Sequence, residues 1–79
     1  MSNGYIPLHR IPIGRMARVK ELTAKDLSRR RMLDLGLISD TMVEALRQSP
    51  SGDPVAYQIR GTVIALRAEE AAQIFVELV

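Results

Sequence analysis

The amino-acid sequence predicts a mainly β protein, a small barrel of about five strands with one inserted α-helix. Apolar and polar residues alternate along most of the chain, which indicates strands, whereas one segment follows the periodicity of a short helix. The chain has 79 residues, the size of one small domain, so 1–79 is treated as a single domain. About five strands are too few for two packed sheets, and closing them into a barrel leaves few open edges.

The first fourteen residues predict an irregular lead-in to the barrel. Pro7, Pro12 and Gly14 interrupt any regular element in this segment. Four apolar side chains are nevertheless available there to attach the segment to the core: Ile6, Leu8, Ile11 and Ile13. We therefore expect 1–14 to have no strand or helix of its own.

Five later segments show the alternation that is typical of half-buried strands. In the first of them, Ala17 and Val19 share one face and basic residues occupy the other. Turn-forming residues separate the later segments, at Pro50–Pro54 and at Gly61-Thr62. The predicted strands are Met16–Leu22, Thr41–Ser49, Val55–Arg60, Val63–Arg67 and Ile74–Val79. A short helical turn is predicted at about 68–73.

One α-helix is predicted over about 24–35, and both of its ends have recognisable signals. Thr23 and Asp26 have the character of a capping box, in which a hydroxyl accepts a bond from an unpaired helix N–H. Gly36 stands where a residue with left-handed backbone would end the helix. Leu37 follows it and can supply the hydrophobic contact that accompanies such an end.

A helical wheel at about 100° per residue divides this helix into two faces. Three apolar residues are predicted to join the core: Leu27, Met32 and Leu35. Arg29, Arg30 and Leu33 fall on the other side, and Arg31 borders the core face with its stem laid against it.

Two interpretations of Leu33 remain open at this point. In the first interpretation, a loop such as the N-terminal segment covers Leu33, or Leu33 is an ordinary exposed leucine. Alternatively, Leu33 is an apolar anchor with Arg29 and Arg30 as its rim, a composition common at the centres of protein interfaces. The arginines themselves have a plain interpretation as solvated side chains or as partners of nearby carboxylates.

The charge balance does not favour a nucleic-acid partner. Lys and Arg number 11, Asp and Glu number 9, and the net charge is +2. Proteins that bind nucleic acids concentrate basic residues and add aromatic side chains for stacking. Here the only aromatic residues are Tyr5, Tyr57 and Phe75.

The sequence offers little to a metal ion, a cofactor or a reaction. It contains no cysteine, and His9 is the only histidine. Asp53, Glu69 and Glu70 carry carboxylates, but their spacing matches no recognised cation-binding loop. No serine stands in a nucleophile motif and no glycine-rich loop is present to hold phosphate. We expect no metal, no cofactor and no catalytic residue, and hence no enzyme.

The turn at Pro50–Pro54 is the second candidate contact surface. Ser51, Gly52 and Asp53 form its tip. Loops of small barrels often contact partners, whereas the simpler interpretation is a plain hairpin connection. Both remain open from the sequence.

Three stretches, taken in order, carry a resemblance to a known family. Leu8–Val19 contains a leucine, Gly14 and small residues that lead into the first strand, and Arg31–Leu37 closes an arginine-rich helix in Leu-Gly-Leu. Val63–Arg67 is followed by Ala68-Glu-Glu-Ala71 and Ile74-Phe-Val76. In this order the stretches resemble the FeoA family of small ferrous-iron transport accessory proteins.

One position departs from the pattern of that family. The family usually follows Leu-Gly-Leu with a Pro-Gly turn, whereas this chain has Ser39-Asp40 there. Aspartate tolerates turn geometry, including left-handed backbone angles, better than most residues. The departure therefore bears on the local turn and not on the fold.

The resemblance implies an SH3-like β-barrel, a cytoplasmic location and action beside the membrane ferrous-iron transporter FeoB. It implies regulation through protein–protein binding at the cytosolic part of the transporter, with the iron belonging to that partner. No signal peptide or long apolar stretch is evident, which agrees with a cytoplasmic protein. The alternatives are a nucleic-acid-binding SH3-like barrel and a stand-alone metalloregulator-type SH3-like domain. Self-association through Leu33 or a strand at the barrel edge also remains open.

Overall fold

The computed structural model describes residues 4–79 and shows one antiparallel sheet of six strands, in the order β1-β6-β2-β3-β4-β5. The first three positions of the expected lead-in lie outside the described residues. The strands are β1 (Ile6–Pro7), β2 (Met16–Leu22), β3 (Met42–Gln48), β4 (Val55–Ile59), β5 (Thr62–Leu66) and β6 (Ile74–Leu78). The helices are α1 (Asp26–Asp34) and the short α2 (Ala68–Ala71). Within residues 4–79, neither has the length or the apolar content to cross a membrane.

The alternating strands bury the faces that the sequence predicts. Ala17 and Val19 of β2 are buried, as are Tyr57 and Ile59 of β4. Burial also raises the pKa of Tyr57 to about 12, with a smaller contribution from nearby Asp53. Side chains from five strands, the lead-in and both helices form one core cluster. The mainly β prediction is therefore confirmed.

The lead-in is more regular than the sequence predicts. Ile6–Pro7 pairs antiparallel with β6 and adds a sixth strand to the expected five. A 3-10 turn at Leu8–Arg10 follows, and both Leu8 and Ile11 are buried. Ile13 is 45% exposed and does not reach the core. Proline tolerates this edge position because an edge strand leaves part of its backbone unpaired.

The start of α1 differs from the predicted capping box. The hydroxyl of Thr23 donates to the carbonyl of Gln73 at 3.3 Å, so it does not cap the helix. The residue before the first turn is Lys25, which has no side-chain capping bond, and Asp26 has a left-handed φ of 55°. Tertiary pairing of Thr23 with Gln73, the residue just before β6, therefore takes the hydroxyl away from the helix.

The end of α1 has the predicted geometry. Gly36 has a φ of 97°, and its N–H donates to the carbonyl of Leu33 at 3.0 Å. The N–H of Leu37 donates to the carbonyl of Met32, also at 3.0 Å. These two bonds are the pair that defines a Schellman end. Both Leu37 and Met32 are buried, so the accompanying hydrophobic contact joins the core.

The predicted core face of α1 is correct at Met32 and wrong at Leu27. Met32 is buried and Leu35 packs partly buried against the core, whereas Leu27 is 82% exposed. Leu27 lies about 110° around the helix from the midpoint of the other two. The helix contacts the barrel along a narrow face, so this rotation places Leu27 in solvent.

The turn between α1 and β3 explains how Ser39-Asp40 is accommodated. Asp40 has a φ of 71°, a left-handed conformation that aspartate tolerates better than most residues. Its N–H donates to the carbonyl of Val19 at 2.7 Å, and its carboxylate pairs with the Lys20 ammonium at 2.7 Å. The bond from Lys20 lowers the pKa of Asp40. The turn is thereby attached to β2.

The reversal between β4 and β5 lies one residue earlier than predicted. Arg60 and Gly61 both have a positive φ, of 52° and 82°. Ile59 pairs with Thr62 directly across them. Two left-handed central residues are the signature of a type I′ hairpin turn, whose twist matches that of the strands.

Replacing Gly36 with alanine tests the importance of the end of α1. We expect Gly36→Ala to lower the free energy of unfolding by about 1–2 kcal/mol, since an L-residue is strained in this conformation. The new Cβ would also lie 2.6 Å from Cδ of Arg60. Chemical denaturation of both proteins measures the difference.

Gly61→Ala is the matched control for this prediction. Gly61 also has a positive φ, but no atom lies within 4 Å of an added Cβ. If Gly36→Ala lowers the free energy of unfolding more than Gly61→Ala does, the difference reports the contact of the new Cβ with Arg60. Making Gly36→Ala in a protein that also carries Arg60→Ala should remove that difference and leave the backbone strain. An unchanged stability of Gly36→Ala would contradict the role assigned to this turn.

Candidate functional site

The outward face of α1 carries a surface of exposed leucines beside arginines, which we call the leucine–arginine surface. Leu27 is 82% exposed and Leu33 is 39% exposed. Arg29 and Arg30 lie with them around one shallow depression, which Asp26 and Asp34 complete. The structure thus brings together Arg29, Arg30 and Leu33, the three helix residues selected from the sequence, and within residues 4–79 Leu33 is partly exposed.

The two arginines of this surface differ in how they are held. The guanidinium of Arg29 donates to the carbonyl of Leu22 at 3.2 Å, which attaches it to the end of β2. Within residues 4–79, Arg30 takes part in no ion pair. Arg29 is therefore positioned in advance, and Arg30 is available to a carboxylate of another molecule.

The apolar part of the surface continues from α1 toward the turn before β3. Leu33 and Arg29 also border a groove between α1 and β2, together with Leu22 and Ile38. Ile38 is 44% exposed. Sequence reasoning missed both Leu27 and Ile38 as candidates. The rotation of Leu27 away from Met32 and Leu35 was a usable signal, whereas Ile38 lies in a turn and shows no periodicity.

The third arginine of the run has a structural partner. Arg31 forms an ion pair with Glu70 of α2. The other oxygen of Glu70 accepts the backbone N–H of Arg67 at 3.0 Å. This backbone bond, with a further contribution from Arg31, lowers the pKa of Glu70. Arg31 therefore fastens α1 to α2, and this contact separates it from the leucine–arginine surface.

The residues of the Pro50–Pro54 turn serve contacts within the fold. A carboxylate oxygen of Asp53 accepts the N–H of Ala68, the first residue of α2, at 2.8 Å. The hydroxyl of Ser51 donates to the carbonyl of Asp53 at 3.0 Å. The N–H of Gly52 donates to the carbonyl of Ser49 at 2.8 Å. None of these turn residues lines the depression on α1. The structure does not bring Ser51, Gly52 and Asp53 to Arg29, Arg30 and Leu33.

Potential metal ligands are dispersed over the described part of the chain. His9 lies exposed in the 3-10 turn of the lead-in. Within residues 4–79, no three side chains of His, Asp or Glu stand close enough together to hold a metal ion. Glu70 is engaged with Arg31 and Arg67, and Asp53 is engaged with Ala68.

Removing the Asp53 carboxylate tests its structural role. We expect Asp53→Ala to lower the free energy of unfolding by about 1 kcal/mol, because it leaves a helix N–H without its acceptor. Ser51→Ala in the same turn should change the stability by less than about 0.5 kcal/mol, since its hydroxyl is exposed. Equal effects of the two changes, measured by chemical denaturation, would contradict the assignment.

The lowered pKa of Glu70 predicts an acid-dependent part of the stability. The folded state favours the carboxylate, so this stabilisation is present above the ordinary pKa of 4.5 and disappears as the pH falls through the lower folded pKa. We expect the stability of Glu70→Gln to decline less on acidification than that of the wild type.

Glu69→Gln is the control for this pH dependence. It makes the same change of charge at the neighbouring exposed residue. Denaturation curves collected between neutral and strongly acid pH compare the three proteins. A decline in Glu70→Gln as steep as that in Glu69→Gln would contradict the role of Glu70.

Comparison with known proteins gives a match over nearly the whole chain. The profile of the FeoA domain matches residues 6–78. A Porphyromonas gingivalis protein, described as an Fe(2+) transport protein A/Fe(2+) transporter FeoB fusion protein, is 31% identical over 72 residues. The match covers 91% of this chain and 8% of that protein, so the chain spans only a small part of the relative.

Solved structures show the same fold. The NMR structure of a FeoA-like protein from Clostridium acetobutylicum has a TM-score of 0.89 and 29% identity, covering 99% of this chain and 91% of that chain. Stenotrophomonas maltophilia FeoA complexed with zinc, described as a prokaryotic SH3 domain protein, has a TM-score of 0.80 and 30% identity. That match covers 89% of this chain and 87% of the other. The predicted SH3-like fold is confirmed, and the chain belongs to the FeoA-domain family.

Proposed function

We propose that this protein is an accessory, regulatory component of ferrous-iron uptake that binds the cytosolic part of a FeoB-type transporter. The relative that joins Fe(2+) transport protein A and the transporter FeoB in one protein supports this pairing. Fusion holds two modules at a high effective concentration, which favours their contact. The place of action is then the cytoplasm.

The leucine–arginine surface is the observation that carries the proposal. A side chain as exposed as Leu27 gains roughly 1.5–3 kcal/mol when it is fully buried against another molecule. Arginine beside an apolar anchor is enriched at interface centres, where its planar head binds carboxylates. The partner is therefore expected to present an apolar patch with acidic residues facing Arg29 and Arg30.

The chemistry of the surface favours binding over catalysis. Leucine has no reactive group, and arginine remains protonated at all ordinary pH values. The carboxylates at its border, Asp26 and Asp34, are exposed on the helix surface. A non-enzymatic role follows as part of the proposal.

Several basic side chains are already paired within the fold, which weighs against the nucleic-acid alternative. Lys20 pairs with Asp40, Arg31 with Glu70, and Arg67 lies 3.7 Å from Asp53. Paired cations have less to gain from phosphate. Binding to generic RNA with a steep dependence on salt would nevertheless favour that alternative over the transporter.

A binding titration with the purified cytosolic part of the FeoB-type transporter from the same organism tests the proposal. We expect Leu33→Glu and Leu27→Glu each to weaken binding at least tenfold, about 1.4 kcal/mol, because each places a charge in the apolar centre. Circular dichroism confirms that the variants are folded.

Leu78→Glu is the matched control, because Leu78 is 41% exposed and Leu33 is 39% exposed. Leu78 pairs with Ala17 at one end of the β2–β6 pairing. Leu22, which accepts a bond from Arg29 of α1, lies at the opposite end of that pairing, so Leu78 is remote from the leucine–arginine surface. Binding should be unchanged in this variant. Unchanged binding of folded Leu33→Glu and Leu27→Glu would reject the surface, and absence of binding by the wild type would reject the partner.

The Pro50–Pro54 turn is kept as a second, separate contact in this proposal. Ser51 is exposed at its tip, whereas Gly52 and Asp53 are half-buried. Ser51→Arg in the same titration tests the contact with little effect on the bond that Asp53 makes to Ala68 of α2. Unchanged binding would remove the turn from the proposed interface.

A further inference from the structure

Strand β5 is an open edge of the sheet. Within residues 4–79 it pairs only with β4, and it stands last in the strand order. Thr62, Val63 and Ala65 are exposed along it, with Val63 at 55%. An edge strand presents unpaired backbone N–H and C=O groups that can pair with another strand.

The geometry of the hairpin identifies which groups are unpaired. Ile59 and Thr62 flank the two-residue turn and form the first hydrogen-bonded pair, and Tyr57 with Ile64 forms the next. The backbone groups of Val63 and Ala65 lie between these pairs and point away from β4. They form the open side of the edge.

This edge lacks the features that commonly protect edge strands. Its sequence, Thr-Val-Ile-Ala-Leu, contains no charged residue and no proline. Its pairing with β4 also continues without a bulge from Val55–Leu66 to Ile59–Thr62. Native proteins usually block an exposed edge with lysine, proline, a bulge or a very short strand. A regular, uncharged and partly β-branched edge is therefore suited to strand addition.

The opposite edge of the same sheet is protected, which decides what kind of assembly can form. β1 has only two residues, and one of them is Pro7. Pairing of β5 with β1 of another copy would repeat head to tail and grow into a filament. Because β1 has almost no backbone groups with which to hydrogen-bond to another strand, the fold of residues 4–79 permits self-pairing only of β5 with β5. Such pairing uses the same edge in both copies and therefore stops at a dimer.

We propose that β5 adds antiparallel to β5 of a second copy, so that the two sheets join across a two-fold axis at Ile64. In this register Val63 of one copy faces Ala65 of the other. The outward backbone N–H group of each donates to the outward C=O group of the other. The exposed Val63 side chain then lies beside a small residue on the outer face. Arg67 faces Gly61 of the second copy, so no like charges stand directly opposite.

The proposed contact predicts weak association. It involves about five residues from each copy, whereas stable interfaces use roughly 20–30 residues a side. The dimer is thus expected to form and dissociate with protein concentration. No residue of β5 lines the depression on α1, so this inference does not depend on the proposed transporter contact.

Analytical ultracentrifugation of the full chain over about a 100-fold range of concentration tests the proposal, since small interfaces are weak. We expect the mass to rise from monomer toward dimer and no further. Amide hydrogen exchange at Val63 and Ala65 should slow as concentration rises, whereas Ile64, already bonded to β4, should change little.

Two variants place the contact at the edge. Val63→Lys introduces a charge at the edge, and Ala65→Pro removes an outward N–H without disturbing the bonds to β4. Both should abolish the dimer. Gln58→Lys is the matched control, because Gln58 pairs with Val63 and is exposed on the same face, one strand from the edge.

Several results would overturn the inference. A monomer at every concentration, or a dimer that persists in both edge variants, would contradict it. Growth beyond the dimer would contradict the two-fold closure. Loss of a dimer in Leu33→Glu but not in Val63→Lys would place self-association on α1. Loss of transporter binding in Val63→Lys, with a monomeric wild type, would show that the edge receives a strand of the transporter.

Discussion

The Schellman end of α1 at Gly36 is the constraint on which the candidate surface depends. α1 buries only one residue fully, Met32, so it has little packing of its own to hold its orientation. The bond from Leu37 to Met32 and the burial of both side chains fasten its last turn to the core. Short helices are marginal without such tertiary support. Because the contact with the barrel is narrow, the opposite face of α1 remains exposed and carries Leu27 and Leu33.

α2 connects the parts of the molecule that lie around α1. Glu70 receives Arg31 on one side, and Asp53 of the Pro50–Pro54 turn accepts the first N–H of α2 on the other. These charge-assisted bonds are stronger than bonds between neutral groups. Arg31 and Asp53 are therefore engaged in bonds within the fold. The arginines of α1 that remain for another molecule are Arg30 and Arg29, which is held in place by its bond to Leu22. The arginine run is thus divided between structure and the proposed interface.

The domain exposes two different kinds of candidate interaction surface. α1 offers side chains, and β5 offers backbone groups along an edge. A side-chain surface selects its partner by shape and charge, whereas a strand edge accepts any extended segment that satisfies its backbone. The two surfaces consist of different residues, so the two proposed contacts can be tested separately.

Local patterns in the amino-acid sequence predicted the mainly β fold, most strand positions, the left-handed backbone at Gly36 and the side of α1 that carries Arg29, Arg30 and Leu33. These features follow from periodicity and backbone preferences, which act over a few residues. Tertiary structure decided the rest: the β1–β6 pairing, the diversion of the Thr23 hydroxyl to Gln73, the exposure of Leu27 and the engagement of Asp53 with α2. Each depends on residues distant in the chain. Local patterns show which residues form an element, but only packing decides which of its faces and bonds are left for another molecule.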